Sequence, residues 1–332
     1  MSRYFARHRA AAILIPLVIV GAAAQSNTPV RDLDVVQVRP NVWMIAGAGG
    51  NITVQTGEQG IVLVDSGSAA VASNVLSVLK TLSKSKVRYM INTGADADHV
   101  GGNGTIAGAG FSLYPQTGFG GGGLTDAITN SGGAAILAHD NVNLRMSGVH
   151  GKQALFAISD RPTETFTGNI KSLYLNDDGI QAIHLPNAHS DADAIVFFRR
   201  ADVIATGDIF DETRFPVIDI ENGGSIQGEI AALNRLLDLA IPPVPLVWLE
   251  GRTMIIPGHG RLTDHADLTE YRDMVTIVRD RIENMVGKGR TLEQIKKADP
   301  TQGYRARWGS DTGPWTTDKF VEAVYKSLTA KR

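Results

Sequence analysis

Asp96, Asp98 and His99 place two carboxylates and an imidazole within four positions of one another. They follow a short apolar run, residues 87–92, whose β-branched and aromatic members are typical of a buried strand. Two carboxylates this close together repel each other unless a positive charge lies between them, and a metal ion is the simplest such partner. The alternative is a solvated acidic turn in which one aspartate caps a helix.

Three further candidate ligands stand in the same relation to apolar runs later in the chain. His189 lies in a polar loop between two such runs, Asp208 follows a third, and His259 follows a fourth. Each segment therefore has one design, a buried strand followed by a loop that offers a metal-ligand side chain. A single loop histidine is more often structural. The shared placement of these groups nevertheless favours one metal centre.

The elements that carry these loops are predicted to alternate between strands and helices. A helix over 69–82 lies between two predicted strands, and this order within about 30 residues indicates a crossover that places neighbouring strands in one sheet. Apolar or alternating runs predict strands over 42–45, 52–55, 60–64, 87–92, 134–138, 172–175, 180–185, 194–198, 203–206 and 253–256, with further helices over 139–146 and 225–239.

Beyond residue 262 the chain is predicted to be helical. Apolar residues three or four apart form one stripe over about 266–286, and shorter helical segments follow over 291–298 and 316–330. We therefore predict an α/β domain over 35–262 and a C-terminal helical extension over 263–332.

Composition places the chain among globular proteins that bury a full core. It has 332 residues, of which 43% are hydrophobic and 20% charged, and its formal net charge is −2. Nothing in this balance indicates nucleic-acid binding. The chain has no cysteine, which excludes disulfides and thiolate metal ligands.

The N-terminus has the order of a cleaved signal peptide. A basic segment precedes an apolar run over 10–20 and the small residues 21–24, so we predict a signal peptide over 1–24 and a flexible segment over 25–34. The apolar run is short for a membrane span, so we expect no stable membrane anchor after cleavage. Export without disulfides predicts a periplasmic or secreted protein.

The ordered motifs resemble those of the metallo-β-lactamase fold hydrolases over roughly residues 35–262. The matching pieces follow one another in order and spacing: Asn92-Thr93, Asp98-His99, Gly101-Gly102, His189, Gly207-Asp208 and the loop Pro257-Gly258-His259-Gly260. The Asp65-Ser66-Gly67 turn also resembles that of the family. The resemblance implies an αββα sandwich in which two sheets pack together, helices lie outside, and metals lie at one edge. It also implies a metal-dependent hydrolase that acts on a small-molecule substrate.

This chain departs from the family pattern at the first two motif histidines, which are replaced by Gly94 and Asp96. The resemblance implies a complete second metal pocket, made of Asp98, His99, Asp208 and His259. It also implies a first pocket in which His189 and the bridging Asp208 are joined by Asp96, while Gly94 contributes no ligand.

Three outcomes follow from this departure, in our order of preference. One metal occupies the second pocket, and Asp96 and His189 form a carboxylate–imidazole pair for proton transfer. Alternatively, two metals bind, with Asp96, His189 and Asp208 around the first. In the third outcome a harder ion such as Fe or Mn replaces Zn²⁺, because the exchange of imidazole for carboxylate favours it.

The expected chemistry is hydrolysis of an ester, lactone, thioester or lactam-type bond by a metal-bound hydroxide. Asp98 would orient that nucleophile, the backbone amides of Gly101-Gly102 would help to stabilise the oxyanion, and Asp96 with His189 would pass a proton to the leaving group. Two alternatives are a non-hydrolytic iron-dependent redox protein and a catalytically silent binding protein. The glycine-rich segment 118–123 is predicted to be a surface loop, either a spacer or a gate beside the site.

Overall fold

Two β-sheets form the centre of the protein, and their strands follow one another along the chain. The computed structural model describes residues 33–111, 133–148, 153–244 and 251–330. Within these residues the first sheet has seven strands in chain order, β1 (Asp34–Arg39), β2 (Val42–Ala46), β3 (Ile52–Gln55), β4 (Ile61–Val64), β5 (Val87–Ile91), β6 (Ala135–His139) and β7 (Glu164–Phe166). Strands β1 to β4 pair antiparallel, and β4 to β7 pair parallel.

The second sheet has six strands in the described residues, with β8 at one edge and β13 at the other. They are β8 (Ile170–Leu175), β9 (Asp178–His184), β10 (Ala194–Phe198), β11 (Val203–Ala205), β12 (Met254–Ile256) and β13 (Thr263–Asp264). Only β11 and β12 pair parallel, so both of these strands run toward the same edge. The loops that carry Asp208 and His259 therefore leave the sheet side by side.

The helices lie in two groups along the chain. Their bounds are α1 (Ala72–Leu82), α2 (Ala97–Val100), α3 (Asn103–Gly108), α4 (Asp140–Ser147), α5 (Ile226–Leu239), α6 (His265–Gly287), α7 (Leu292–Lys297), α8 (Arg305–Trp308) and α9 (Thr317–Thr329), with short 3-10 turns at Ala69–Val71, Ile158–Asp160, Gly207–Ile209 and Ile220–Asn222. Local signals set several of these ends. Ser225 caps α5 through the Gly228 amide, and Asp264 and Asp267 form a capping box at the start of α6.

Three large apolar clusters show the order of the layers. One lies between the two sheets, where Val62 and Ile91 of the first sheet join Ile180 and Val196 of the second. Another packs α1 and α3 on the outer face of the first sheet. The third packs α5, α6 and α9 on the outer face of the second sheet, with the Phe215 and Phe320 rings stacked 4.8 Å apart. This order of helix, sheet, sheet and helix confirms the predicted αββα sandwich with C-terminal helices.

The predicted elements differ from the observed ones where the apolar pattern is weak. Strand β1 was not predicted, because its first four residues are exposed at the edge of the sheet and carry no periodic apolar signal. The three-residue β7, the two-residue β13 and the short helices α2, α3 and α8 were missed because they contain too few residues for any period to show.

Several sequence-based predictions fall outside the described residues. The signal peptide 1–24, most of the segment 25–34 and the glycine-rich segment 118–123 are among them. The boundary between a domain over 35–262 and an extension over 263–332 stays a prediction. No helix in the described part of the chain is long and apolar enough to cross a membrane.

Candidate metal centre

Three candidate ligands of the predicted second pocket lie together. The ligand atoms of Asp98, His99 and His259 are all within 4.8 Å of one another. His259 Nε2 lies 3.2 Å from Asp98 Oδ2 and 3.4 Å from Asp208 Oδ1, and His99 Nε2 lies 3.3 Å from the same Asp208 oxygen. The four groups come from three separate loops, which follow β5, β11 and β12.

The spacing of these atoms fits a shared metal ion. Ligands bound tetrahedrally to Zn²⁺ at about 2.0–2.2 Å lie roughly 3.3–3.6 Å apart, which is close to the separations between His259, Asp208 and Asp98. His99 is almost completely buried, and within the described residues its Nε2 atom has no hydrogen-bond partner, although it faces Asp208. A buried polar nitrogen without a hydrogen bond is costly unless another group satisfies it. Two imidazoles and two carboxylates therefore form a donor set that fits a divalent metal.

The predicted first pocket also comes together, on the other side of Asp208. The ligand atoms of Asp96, His189 and Asp208 lie within 4.8 Å of one another, and His189 Nε2 is 3.3 Å from Asp96 Oδ2. Asp96 occupies the N-cap position of α2, but its side chain makes no capping hydrogen bond. Asp96 therefore does not cap this helix through its side chain. Asp208 groups with the ligands of both pockets.

Buried partners hold the two inner histidines in place. His99 Nδ1 lies 2.8 Å from Asp65 Oδ2, and His189 Nδ1 lies 2.9 Å from the carbonyl oxygen of Val217. In metal sites, such contacts on the second ring nitrogen fix the tautomer and the orientation of the ligand. Gly50 lies against the face of His99, where a Cβ atom would come within 2.6 Å of the ring. These contacts leave the Nε2 atoms directed at the pockets.

Carboxylates dominate the electrostatics of the metal-free centre. Burial opposes charge on His99, but the charges of Asp208 and Asp65 hold its pKa well above the usual value. Burial also opposes charge on His259, whose pKa is raised to about 9 by its hydrogen bonds with Asp208 and Asp98. In turn, although burial opposes it, the charge of His99 holds the pKa of Asp208 well below its usual value. Protons thus occupy the imidazoles where a metal would bind.

We predict that metal binding releases protons. Because the pKa of His259 is about 9 in the metal-free protein, its imidazole is protonated at pH 7.5 and must lose that proton before it can bind a metal. Zn²⁺ affinity should therefore rise with pH and level off above pH about 9. Calorimetric titrations in buffers of different ionisation enthalpy should show about one or more protons released per metal at pH 7.5.

Two substitutions test whether His259 is the source of a released proton. His259→Gln should reduce the number of released protons by about one, whereas His265→Gln, at the start of α6, should leave it unchanged. Metal binding without proton release at pH 7.5 would contradict the assignment of His259 as a ligand.

One expected role is wrong. The amides of Gly101 and Gly102 donate to the carbonyl oxygens of Ala97 and Gly67, at 3.0 and 2.9 Å, so they are not free to stabilise an oxyanion. These glycines instead allow close packing. A Cβ atom on Gly102 would lie 2.5 Å from the Ser66 carbonyl oxygen.

Three buried acidic residues next to the centre were not predicted as part of it. Asp65 bonds His99, as described above. Asp193 accepts hydrogen bonds from the Ser190 amide at 2.5 Å and from the Ser190 hydroxyl at 3.0 Å, and burial raises its pKa. Glu229 is fully buried, neither of its oxygens has a hydrogen-bond partner in the described residues, and burial raises its pKa well above the usual value.

Sequence signals were available for only some of these three residues. The turn at Asp65 matched the family pattern and could have been assigned a role. Asp193 is four residues from His189, but acidic residues in loops are common. Glu229 lies within an amphipathic helix, where a carboxylate is normally taken as solvent-exposed.

Comparison with known proteins gives a consistent result. Residues 46–111, which include Asp96, Asp98 and His99, match the sequence model of the metallo-beta-lactamase superfamily. No curated protein matches this sequence.

Solved structures show the same fold at low sequence identity. The sec-alkylsulfatase Pisa1 from Pseudomonas sp. aligns with a TM-score of 0.64 at 14% identity, over 90% of this chain and 50% of that one. A metallo-beta-lactamase from Pontibacter korlensis aligns with a TM-score of 0.52 at 14% identity, over 74% of this chain and 99% of that one. This chain thus spans about half the length of the alkylsulfatase. The resemblance predicted from the ordered motifs is confirmed.

Proposed function

We propose that this chain, which has the metallo-β-lactamase fold, is a metal-dependent hydrolase that acts on an ester, lactone, thioester or lactam-type bond of a small molecule. Superfamily members are usually metal-dependent hydrolases, and the observation that carries the proposal for this chain is the convergence of ligand atoms. Asp98, Asp208 and His259 come from three loops, yet carboxylate oxygens of Asp98 and Asp208 lie 3.2 and 3.4 Å from the Nε2 atom of His259. We propose Zn²⁺ in this second pocket, because its two imidazoles and two carboxylates suit that ion.

The bound metal would lower the pKa of a water molecule and polarise the bond that is attacked. The protein side chains supply the rest of the chemistry. Asp98 is partly exposed on the open side of the pocket, and its carboxylate can hold and orient a nucleophilic water. The hydrogen bond with His259 lowers the pKa of Asp98. The carboxylate is therefore ionised at neutral pH and can accept a hydrogen bond from the water.

We propose that Asp96 and His189 move a proton to the leaving group. Their side chains are 3.3 Å apart, and His189 is buried while Asp96 is partly exposed. Burial opposes charge on His189, but the hydrogen bond with Asp96 holds its pKa well above the usual value. The protonated imidazole of His189 can donate a proton to the leaving group. It can then be reprotonated from solvent through the exposed carboxylate of Asp96. In this proposal both residues remain free of metal when only the second pocket is filled.

Metal content and hydrolysis measured together test the proposal. The purified protein should contain about one equivalent of Zn²⁺, and a chelator should remove both the metal and the hydrolysis of model esters, lactones, thioesters and lactams. Asp98→Ala and His259→Ala should each lower kcat/KM by about a hundredfold or more and reduce the bound metal. The matched control is Asp177→Ala, an exposed carboxylate in the turn between β8 and β9.

Each other result contradicts a specific part of the proposal. Stoichiometric iron with oxygen consumption and no hydrolysis would favour a redox protein. A folded protein that takes up no metal would favour a binding protein. Hydrolysis that survives both substitutions would remove the assigned residues from the reaction.

We also propose that the protein is exported to the periplasm after cleavage of residues 1–24. The order of basic, apolar and small residues in that segment supports this. The protein recovered from the periplasmic fraction of a Gram-negative host should have the mass of a chain that begins at Gln25. A full-length cytoplasmic product would contradict it.

A further inference from the structure

Gly94 differs from every other buried glycine in the described residues. At nine of them, a Cβ atom would come within 3.0 Å of a neighbouring atom, so packing requires the missing side chain; these are Gly50, Gly60, Gly67, Gly102, Gly110, Gly133, Gly207, Gly224 and Gly258. At Gly94 the nearest atoms would lie 3.8 and 3.9 Å away, and its φ is not in the left-handed region. Neither packing nor backbone conformation therefore accounts for a glycine at this position.

A Cβ atom on Gly94 would fit at ordinary contact distance into a space bordered by two acceptors. The two atoms within 4 Å of the Cβ position are Asp96 Oδ2 and Asp193 Oδ1. Asp193 is almost fully buried, and both of its oxygens accept hydrogen bonds from Ser190, which fixes the carboxylate in this orientation. Asp96 is 47% exposed, so this wall of the space belongs to the open side of the metal centre. We call the space the Gly94 recess.

We infer that the Gly94 recess is a specificity subsite for a hydrogen-bond-donating substituent of the substrate, a primary ammonium or a hydroxyl next to the bond that is cleaved. This inference rests on the proposed function and names its substrate class. Carboxylate oxygens accept hydrogen bonds and attract positive charge, so an ammonium in the recess would face two suitable acceptors. An apolar substituent would instead cover Asp96 Oδ2 and Asp193 Oδ1 without donating a hydrogen bond to either oxygen.

Position 94 acts in this subsite through its lack of a side chain. A methyl group there would lie at ordinary contact distance from both oxygens, so Gly94→Ala fills the recess without a clash. The protein should tolerate this change, because alanine at a compatible position does not destabilise a fold. Gly94→Ala therefore separates a role in ligand selection from a role in folding.

Binding of two small lactams to the metal-loaded protein tests the inference. The probes are 2-pyrrolidinone and 3-amino-2-pyrrolidinone, which differ only by an amine next to the carbonyl group. By isothermal titration at pH 7, the wild-type protein should bind the amino compound about tenfold more tightly or better. Gly94→Ala should reduce that ratio to about one. Gly108→Ala, at the end of α3 where nothing contacts the new methyl group, is the matched control and should keep the wild-type ratio.

Several results would overturn the inference. They are equal binding of the two probes by wild type, no detectable binding of either, an unchanged ratio in Gly94→Ala, or a lower melting temperature of Gly94→Ala, which would show that the glycine is structural.

Hydrolysis of γ-butyrolactone and its α-amino derivative separates this inference from the proposed function. One result is that neither lactone is cleaved, while the binding preference is present and is lost in Gly94→Ala. That result would support the subsite at the Gly94 recess and contradict lactone hydrolysis. If both lactones are cleaved at equal kcat/KM, the proposed hydrolase activity is supported and the proposed subsite at the Gly94 recess is contradicted.

Discussion

Asp208→Ala is expected to remove the metal from the second pocket and to lower kcat/KM by about a thousandfold or more. The reason is the position of this one carboxylate. Its Oδ1 atom lies 3.3 Å from His99 and 3.4 Å from His259, and the same carboxylate groups with Asp96 and His189 on the other side. Without it, the Nε2 atom of His99 loses the carboxylate that it faces, and the Nε2 atom of His259 keeps only Asp98.

Elemental analysis and kinetics of the dialysed variant measure this effect. Bound metal should fall well below one equivalent, and Asp208→Asn should behave similarly because an amide oxygen is a weaker ligand than a carboxylate. Asp177→Ala, far more exposed, should retain wild-type metal and activity. If Asp208→Ala keeps a full equivalent of metal and activity within tenfold, the shared role of Asp208 is wrong.

Asp65→Ala should lower the free energy of unfolding of the metal-free protein by about 3 kcal/mol or more. Asp65 is buried and accepts hydrogen bonds from the Thr93 amide at 2.8 Å and the Thr93 hydroxyl at 2.6 Å, besides its contact with His99. Removal of the carboxylate leaves all three groups unpartnered inside the fold. Asp65 also has φ 62, a conformation that alanine adopts at a cost.

Urea unfolding of the chelator-treated protein measures this change in the free energy of unfolding. Asp65→Asn should lose less stability than Asp65→Ala, because asparagine tolerates the left-handed backbone and still accepts a hydrogen bond. It should nevertheless weaken Zn²⁺ binding by about 10- to 100-fold, since His99 loses its charged partner. A loss below about 1 kcal/mol for Asp65→Ala would show that these buried contacts contribute little to the fold.

Sequence patterns predicted the fold well where periodicity was strong. Strands β3 and β10 have the predicted bounds, and the apolar stripe of α6 begins and ends within one residue of its prediction. The exposed edge strand β1 was missed because half-buried alternation, which identifies strands, is weak at a sheet edge.

For the site, sequence order indicated which residues could meet but not how each would be used. The motifs around Asp98, His189 and His259 predicted loops at strand ends, and the fold brings those loops together. The role of Asp65 depends on Thr93 and His99, and the Gly94 recess depends on Asp193; each of these neighbours is more than 25 residues away in the chain, which a local pattern does not contain. The Gly102 amide failed as an oxyanion donor for a similar reason, because it donates to the distant Gly67, whereas the Gly101 amide closes the turn of α2 onto Ala97.

The wide separation of the ligands along the chain has a consequence for metal acquisition. Asp98 lies in the first third of the sequence, whereas His259 lies beyond the last parallel strand of the second sheet. The second pocket cannot assemble until the chain has been synthesised beyond His259, so an ion is captured there only after the loops that follow β5, β11 and β12 have come together. The metal supply at the place and time of final folding, together with ligand chemistry, therefore decides which ion the finished protein first encounters.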